Sequence, residues 1–194
     1  MRIGLVSDTH IQDDLAGMPD ELAATFKAQA VDLILHMGDV NSPRVLDVLE
    51  QVATVVAVRD FAELPSADPR LDQTRRVIEV AGRRIGMVHD IGWPGPNILA
   101  HQELRFPSEP LEEVLVLKFG QPVDIVAFGH THEELLLQHQ GVWFINPGSP
   151  TYPGLRHAAG GLGTIGILDI DPRGPVTARI LKLCPTAKPG QTET

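Results

Sequence analysis

Three groups of metal-binding residue types each close a short apolar run: Asp8-Thr9-His10 after Ile3 to Val6, Gly38-Asp39 after Leu33 to Leu35, and Gly129-His130-Thr131-His132 after Val123 to Phe128. Carboxylate combined with imidazole is a donor set suited to Mn, Fe, Zn or Ni rather than to Ca or Mg. Asp8 and His10 are two positions apart, so their side chains leave an extended chain on one face and can turn toward one ion at a strand end. Asp39 follows a glycine that permits a sharp turn or a close approach, which would let its carboxylate bridge two ions. The competing role for Asp39 is a helix cap before Asn41-Ser42-Pro43. An isolated Asp-Thr-His is more commonly a turn residue and a surface histidine. Two imidazoles at i and i+2 directly after a buried strand are harder to explain by packing. His89 adds a further strand-end histidine, after Ile85 to Val88. His36 lies inside an apolar run, which favours a hydrogen-bonded supporting role over direct ligation. His101, His139 and His157 fall in polar, loop-like sequence and receive no role.

The elements that must position these groups read as α/β. The runs ending at Val6, at Leu35 and in Val52 to Val58 are short and rich in branched aliphatics, as in strands buried on both faces. Between them, Pro19 to Gln29 is amphipathic and Ser42-Pro43 opens a second helix. This β-α-β-α-β series predicts a largely parallel sheet, with ligands gathering outside the carboxyl ends of its strands. After Asp60 the pattern changes. Val77 to Val80 and Ile85 to Val88 flank a hairpin-like break, and Gly92 to Asn97 reads as a loop near the site. Glu109 to Phe119 is helical. Strands recur at Val123 to Phe128, Glu134 to Gln138, Val142 to Ile145, Gly163 to Ile170 and Val176 to Lys182, their spacing pointing to an antiparallel second half. Two sheets packed together with helices outside would use both halves.

A chain of 194 residues suits one domain, expected over residues 1–184, with polar residues 185–194 as a mobile tail. Cys184 is the sole cysteine, so no intramolecular disulfide and no cysteine-based metal site can form. The amino terminus has no signal-peptide pattern, and no apolar run approaches the ~20 residues needed to span a bilayer. The expectation is a soluble cytoplasmic protein without membrane association. A net charge of −9 without a Lys/Arg-rich run argues against nonspecific nucleic-acid binding. A homo-oligomer is left open.

Taken in order, Ser7-Asp8-Thr9-His10, His36-Met37-Gly38-Asp39-Val40, Phe128-Gly129-His130-Thr131-His132 and Ile145-Asn146-Pro147-Gly148-Ser149-Pro150 resemble the calcineurin-like metallophosphoesterases. The resemblance extends to their small phosphodiesterase branch, which includes the retromer subunit of this fold, and runs from Met1 to about Leu183. It implies a four-layer αββα sandwich of two mixed sheets flanked by helices. It also implies two divalent transition metal ions, Mn foremost with Fe, Zn or Ni as alternatives. Asp8, His10 and His132 would hold one metal, His89 and His130 the other, with Asp39 between them. The activity implied is phosphoester hydrolysis, by in-line attack of a metal-bridging hydroxide on a small phosphorylated substrate.

Two departures from the family pattern bear on activity. Where the family carries a Gly-Asn pair after the third strand, this chain reads Arg59-Asp60-Phe61. One alignment makes Asp60 the remaining ligand and another leaves Phe61 there; Asp60 is preferred because a carboxylate can coordinate, against a loop aspartate paired with Arg59. His89 is followed by Asp90-Ile91 rather than by Gly-His. With Phe61 after Asp60 there is no histidine to act as general acid, which favours diesters or esters with good leaving groups. The alternative is a weakly active or inactive protein-interaction module on the same fold. A His89-Asp90 pair of the helical phosphohydrolase type is disfavoured by its strand-like surroundings.

Overall fold

The computed structural model describes residues 1–62, 66–99, 103–158 and 160–185. Residues 186–194 of the expected tail and His101 lie outside the described residues. Strand β1 (Arg2–Val6) starts the chain, followed by helix α1 (Asp20–Ala28), β2 (Leu33–His36), α2 (Arg44–Glu50) and β3 (Thr54–Ala57). The three strands pair in parallel. In α1, Leu22 and Phe26 lie one turn apart and are buried, Asp20 and Glu21 sit in the first turn, and Lys27 sits in the last, as the helix dipole favours. Helix α2 starts after Pro43, and its first amide, Arg44 N, donates to the Ser42 hydroxyl at 3.3 Å. Asp39 does not cap it.

The second half contains β4 (Arg75–Val80), β5 (Arg83–Val88), the small hairpin β6 (Asn97–Ile98) and β7 (Leu104–Arg105), and α3 (Leu111–Phe119). It continues with β8 (Ile125–Ala127), β9 (Glu134–His139), β10 (Val142–Pro147), β11 (Thr164–Ile170) and β12 (Val176–Lys182). One five-stranded sheet has the order β12-β11-β1-β2-β3, the other β4-β5-β8-β10-β9. The hairpins β4–β5, β9–β10 and β11–β12 are antiparallel, but β8 lies parallel to both β5 and β10. The expected antiparallel half is therefore a mixed sheet: α3 carries the chain across its face between β5 and β8, and local hairpin spacing cannot report such a crossover.

Three apolar layers give the αββα sandwich its order. Phe26, Leu22, Leu46 and Leu49 of α1 and α2 pack on the outer face of the first sheet. Ile3, Leu5, Leu33 and Leu35 meet Ile85, Met87, Ile125 and Ile145 between the sheets. Leu111, Leu115 and Phe119 of α3 cover Val126, Phe128 and Phe144 on the outside of the second. Among the described residues, no helix is long and apolar enough to cross a membrane.

Candidate metal centre

The carboxyl ends of β1, β2 and β3 from one sheet, and of β5 and β8 from the other, come to a common edge. There the backbone turns sharply. Asp8 (φ 55°), His10 (φ 49°), Asp39 (φ 52°), His130 (φ 73°) and His132 (φ 61°) all adopt the left-handed region. Non-glycine residues enter this region rarely and at a conformational cost, and such residues cluster where the surrounding structure over-determines them. Here the β1 and β2 extensions hold each other: Asp8 N donates to Gly38 O and His10 N to Asp39 O, each at 3.0 Å. Gly38, at φ +96°, lies so close to His89 that a Cβ there would stand 2.8 Å from its Cβ and Nδ1. Gly129 is tighter still, since a Cβ would come within 1.8 Å of Ser7 Oγ and 2.6 Å of Asp8 Oδ2.

The donor atoms form two interlocked groups. Asp8, His10, Asp39 and His132 each offer an atom within 4.8 Å of the others, and Asp39, Asp60 and His89 do the same. Asp39 belongs to both. Its Oδ2 lies 3.2 Å from His10 Nε2 and 3.4 Å from His89 Nε2, while Asp8 Oδ1 lies 3.6 Å from His132 Nε2 and 3.8 Å from His89 Nε2. The Nε2 atoms of His10 and His132 face each other at 3.2 Å. Asp60, rather than the outward-facing Phe61, joins the second group, its carboxylate also accepting from the amides of Phe61 and Ala62. His130 belongs to neither group. Its amide donates to both carboxylate oxygens of Asp8 at 3.1 Å, and its ring stands edge-on to His89 with centroids 5.3 Å apart.

Surrounding carbonyls fix which nitrogen is available. His89 Nδ1 is 2.8 Å from Met37 O, and His132 Nδ1 is 2.8 Å from Tyr152 O. A carbonyl only accepts, so Nδ1 must carry the hydrogen and Nε2 is turned toward the carboxylates. His89 Nε2 is buried and makes no hydrogen bond. An orphaned imidazole nitrogen aimed at two carboxylates, beside a second facing pair of imidazole nitrogens, fits a divalent cation.

The ionisation behaviour agrees with this donor set. Burial of Asp8 raises its pKa against the opposing influence of His89 and His132. Burial would depress His89, but the close approach of the Asp39 carboxylate, the charges of Asp8 and Asp39, and the Met37 carbonyl outweigh that and raise it to about 9. For Asp39 burial likewise opposes ionisation, and the contact with His89 and the charges of His89, His10 and His130 prevail, holding it below the usual carboxylate range. His36, fully buried and 3.1 Å from the Thr9 hydroxyl, is driven by burial down to about 3 and is a neutral support.

A model of the calcineurin-like phosphoesterase superfamily domain matches residues 1–173. The chain belongs to this superfamily. Among its calcineurin-like relatives, a probable metallophosphoesterase of Methanothermobacter thermautotrophicus is 34% identical over 157 residues, covering 80% of each chain. An archaeal phosphodiesterase shares the fold with a TM-score of 0.61 at 22% identity, over 93% of this chain and 100% of that one. Wild-type Vps29 from Entamoeba histolytica complexed with zinc gives a TM-score of 0.62 at 18% identity, over 95% and 100%. These two likenesses concern the fold.

Several supports of this calcineurin-like site come from residues that are not themselves donors. Ser149 Oγ donates to Asp8 O at 2.7 Å, and Thr151 Oγ1 donates to Thr9 O at 2.7 Å. Buried Asn146 donates to Gly129 O at 2.8 Å and to Thr131 Oγ1 at 3.1 Å, and accepts from Gly148 N at 2.9 Å. The Asn146 to Pro150 turn thus braces the loops that carry Asp8 and the β8 histidines. The roles of Met37 and Tyr152 run through main-chain carbonyls, which every residue possesses, so no side-chain pattern could reveal them. His157 pairs with Glu134 at 3.1 Å and His139 stacks on Phe106, both away from the donor groups.

Proposed function

We propose that the protein is a metal-dependent phosphodiesterase acting on a small phosphodiester, with Asp8, His10 and His132 on one divalent cation, Asp60, His89 and His130 on a second, and Asp39 shared. The sharing of Asp39 between two donor groups is the observation that carries this reading. The position of Asp60 beside Asp39 and His89 supports its assignment to the second cation. When bound, two such cations would supply neutralisation of phosphoryl oxygens and activation of water near neutral pH. The residues of the chain hold that centre ready: Met37 O and Tyr152 O orient His89 and His132, the His130 amide anchors Asp8, and Asn146 ties the β8 loop to the β10 turn. The preference for diesters rests on Phe61, the neighbour of Asp60 in the chain. Its ring carries no proton for a leaving group, so an ester that departs as a weakly basic alcohol or phenol suits this site.

The test is a pair of substitutions read by metal analysis and by hydrolysis of bis(p-nitrophenyl) phosphate and p-nitrophenyl phosphate in Mn-supplemented buffer. Asp39→Asn keeps the side-chain shape and should lower diester turnover by at least about 100-fold while reducing the bound metal. Asp60→Ala should retain one cation and lose the other. Full activity in Asp39→Asn, or two cations retained in Asp60→Ala, would overturn the respective assignments. A wild-type protein that binds metal yet hydrolyses no diester would leave the interaction-module reading in its place.

A further inference from the structure

A cavity of about 410 Å³ adjoins the Asp39–Asp60–His89 group, with Asp60 and His89 in its wall. Its volume is that of a small-molecule site. Two large aromatic rings at its rim are turned to solvent: Phe61 is 87% exposed and Trp93 is 88% exposed. Trp93 is displayed by a held loop. Ile91 and Pro96 on either side are buried, and Gly92 N donates to Asp90 Oδ1 at 2.7 Å. Two cations complete the wall. Among the described residues Arg75 makes no ion pair, and the buried Lys118 ammonium has one hydrogen bond, to the Asp90 carbonyl at 3.4 Å. Lys118 sits at the i+7 position of the apolar stripe Leu111, Val114, Leu115, Phe119, where a methionine or leucine would satisfy packing. Exposed planar rings beside under-used cations are what a ring joined to an anion requires.

Resting on the phosphodiesterase reading, we propose that this cavity is the subsite for a nucleotide-like substituent of the phosphodiester, its planar ring lying against Trp93 and Phe61 and its anionic group held by Arg75 and Lys118. Phosphorus held at the Asp39–His89 end would point one ester substituent along this wall. Asp60 and Asp90 also line the cavity, so the subsite favours a compact anion over a polyanion.

Binding can be read without turnover. The chain contains two tryptophans, Trp93 and Trp143, so a Trp143→Phe variant leaves Trp93 as its sole fluorescent indole. The full chain is titrated with adenosine 5′-monophosphate, adenosine and ribose 5-phosphate, with metal supplied and with metal chelated. The monophosphate should quench Trp93 in both conditions and bind about tenfold more tightly than either fragment. Arg75→Gln should erase its advantage over adenosine. Equal binding of all three ligands, or a preference untouched by Arg75→Gln, would overturn the proposal. Steady-state kinetics on the otherwise native chain give a second readout that does not depend on Trp143: Trp93→Ala should raise KM about tenfold for bis(p-nitrophenyl) phosphate, whose non-leaving substituent is a ring, and leave it unchanged for methyl p-nitrophenyl phosphate, whose non-leaving substituent is a methyl group. Equal effects on the two would also overturn it. Quenching without any diester turnover would sink the phosphodiesterase reading alone, and turnover without ring preference would sink the subsite alone.

Discussion

Lys118 is held in the folded chain against its own chemistry. Burial lowers its pKa to about 8, with Asp90 opposing that shift and Arg75 adding to it. A lysine whose folded pKa lies below its ordinary value of 10.5 is penalised in its charged form. The penalty is fully present below pH 8 and is relieved as pH rises from about 8 to 10.5, because there the unfolded chain binds a proton that the folded chain does not. Lys118→Met should therefore raise stability at pH 7 by roughly 1–3 kcal/mol and flatten the rise of stability through that window. Urea melts of the two proteins at a series of pH values measure both. A lysine that weakens the fold beside the candidate centre is the kind of local inconsistency that functional sites carry; the helical pattern of the α3 segment did not single it out in the sequence.

At the scale of elements, helices and strands were legible because their signals are periodic and local. The stripe of α1 and the unbroken apolar runs of β1 and β2 lie in residues a few positions apart. The parallel seating of β8 between β5 and β10, the β6–β7 hairpin and the carbonyl anchors of His89 and His132 depend on partners distant in sequence, so no local pattern encodes them. The donor residues were legible through their types at strand ends. Their left-handed backbone was not, because Asp and His adopt it only when the neighbouring loop holds them. Packing of α1 shows the same division. Its Phe26 ring lies over β1 where Gly4 leaves room, and a Cβ on Gly4 would stand 2.6 Å from that ring. Phe26→Ala should cost about 3–5 kcal/mol, since the rigid sheet beneath cannot close the void. The midpoint of a denaturant melt on the metal-free protein gives the value, and a loss below about 1 kcal/mol would mean that α1 is not a structural layer of the sandwich.

Across the whole molecule, the donor groups draw on both sheets: Asp8, His10, Asp39 and Asp60 come from ends of the first, His89 and His132 from ends of the second. A cation bound there would fasten the layers together at an edge that the intersheet core does not reach. Metal that binds only the folded chain stabilises it by mass action, about 2.7 kcal/mol at a free concentration 100 times Kd. Chelation should accordingly lower Tm by roughly 5–11 °C for a chain of this size, with recovery on adding Mn. Differential scanning fluorimetry with and without chelator tests this, and an unchanged Tm would separate the centre from the fold. The acidic net charge of −9 would not oppose anion binding at the proposed centre, because three carboxylates facing two dications would leave a positive local charge at contact distance. The carbonyls of Met37 and Tyr152 have a further effect, on time rather than on affinity. With the rings of His89 and His132 already locked by them, an arriving cation meets donors that need no rotamer search. The pace of loading is then left to how fast the ion sheds its own water, so a slowly exchanging ion such as Ni would fill this edge later than Mn even where it binds more tightly.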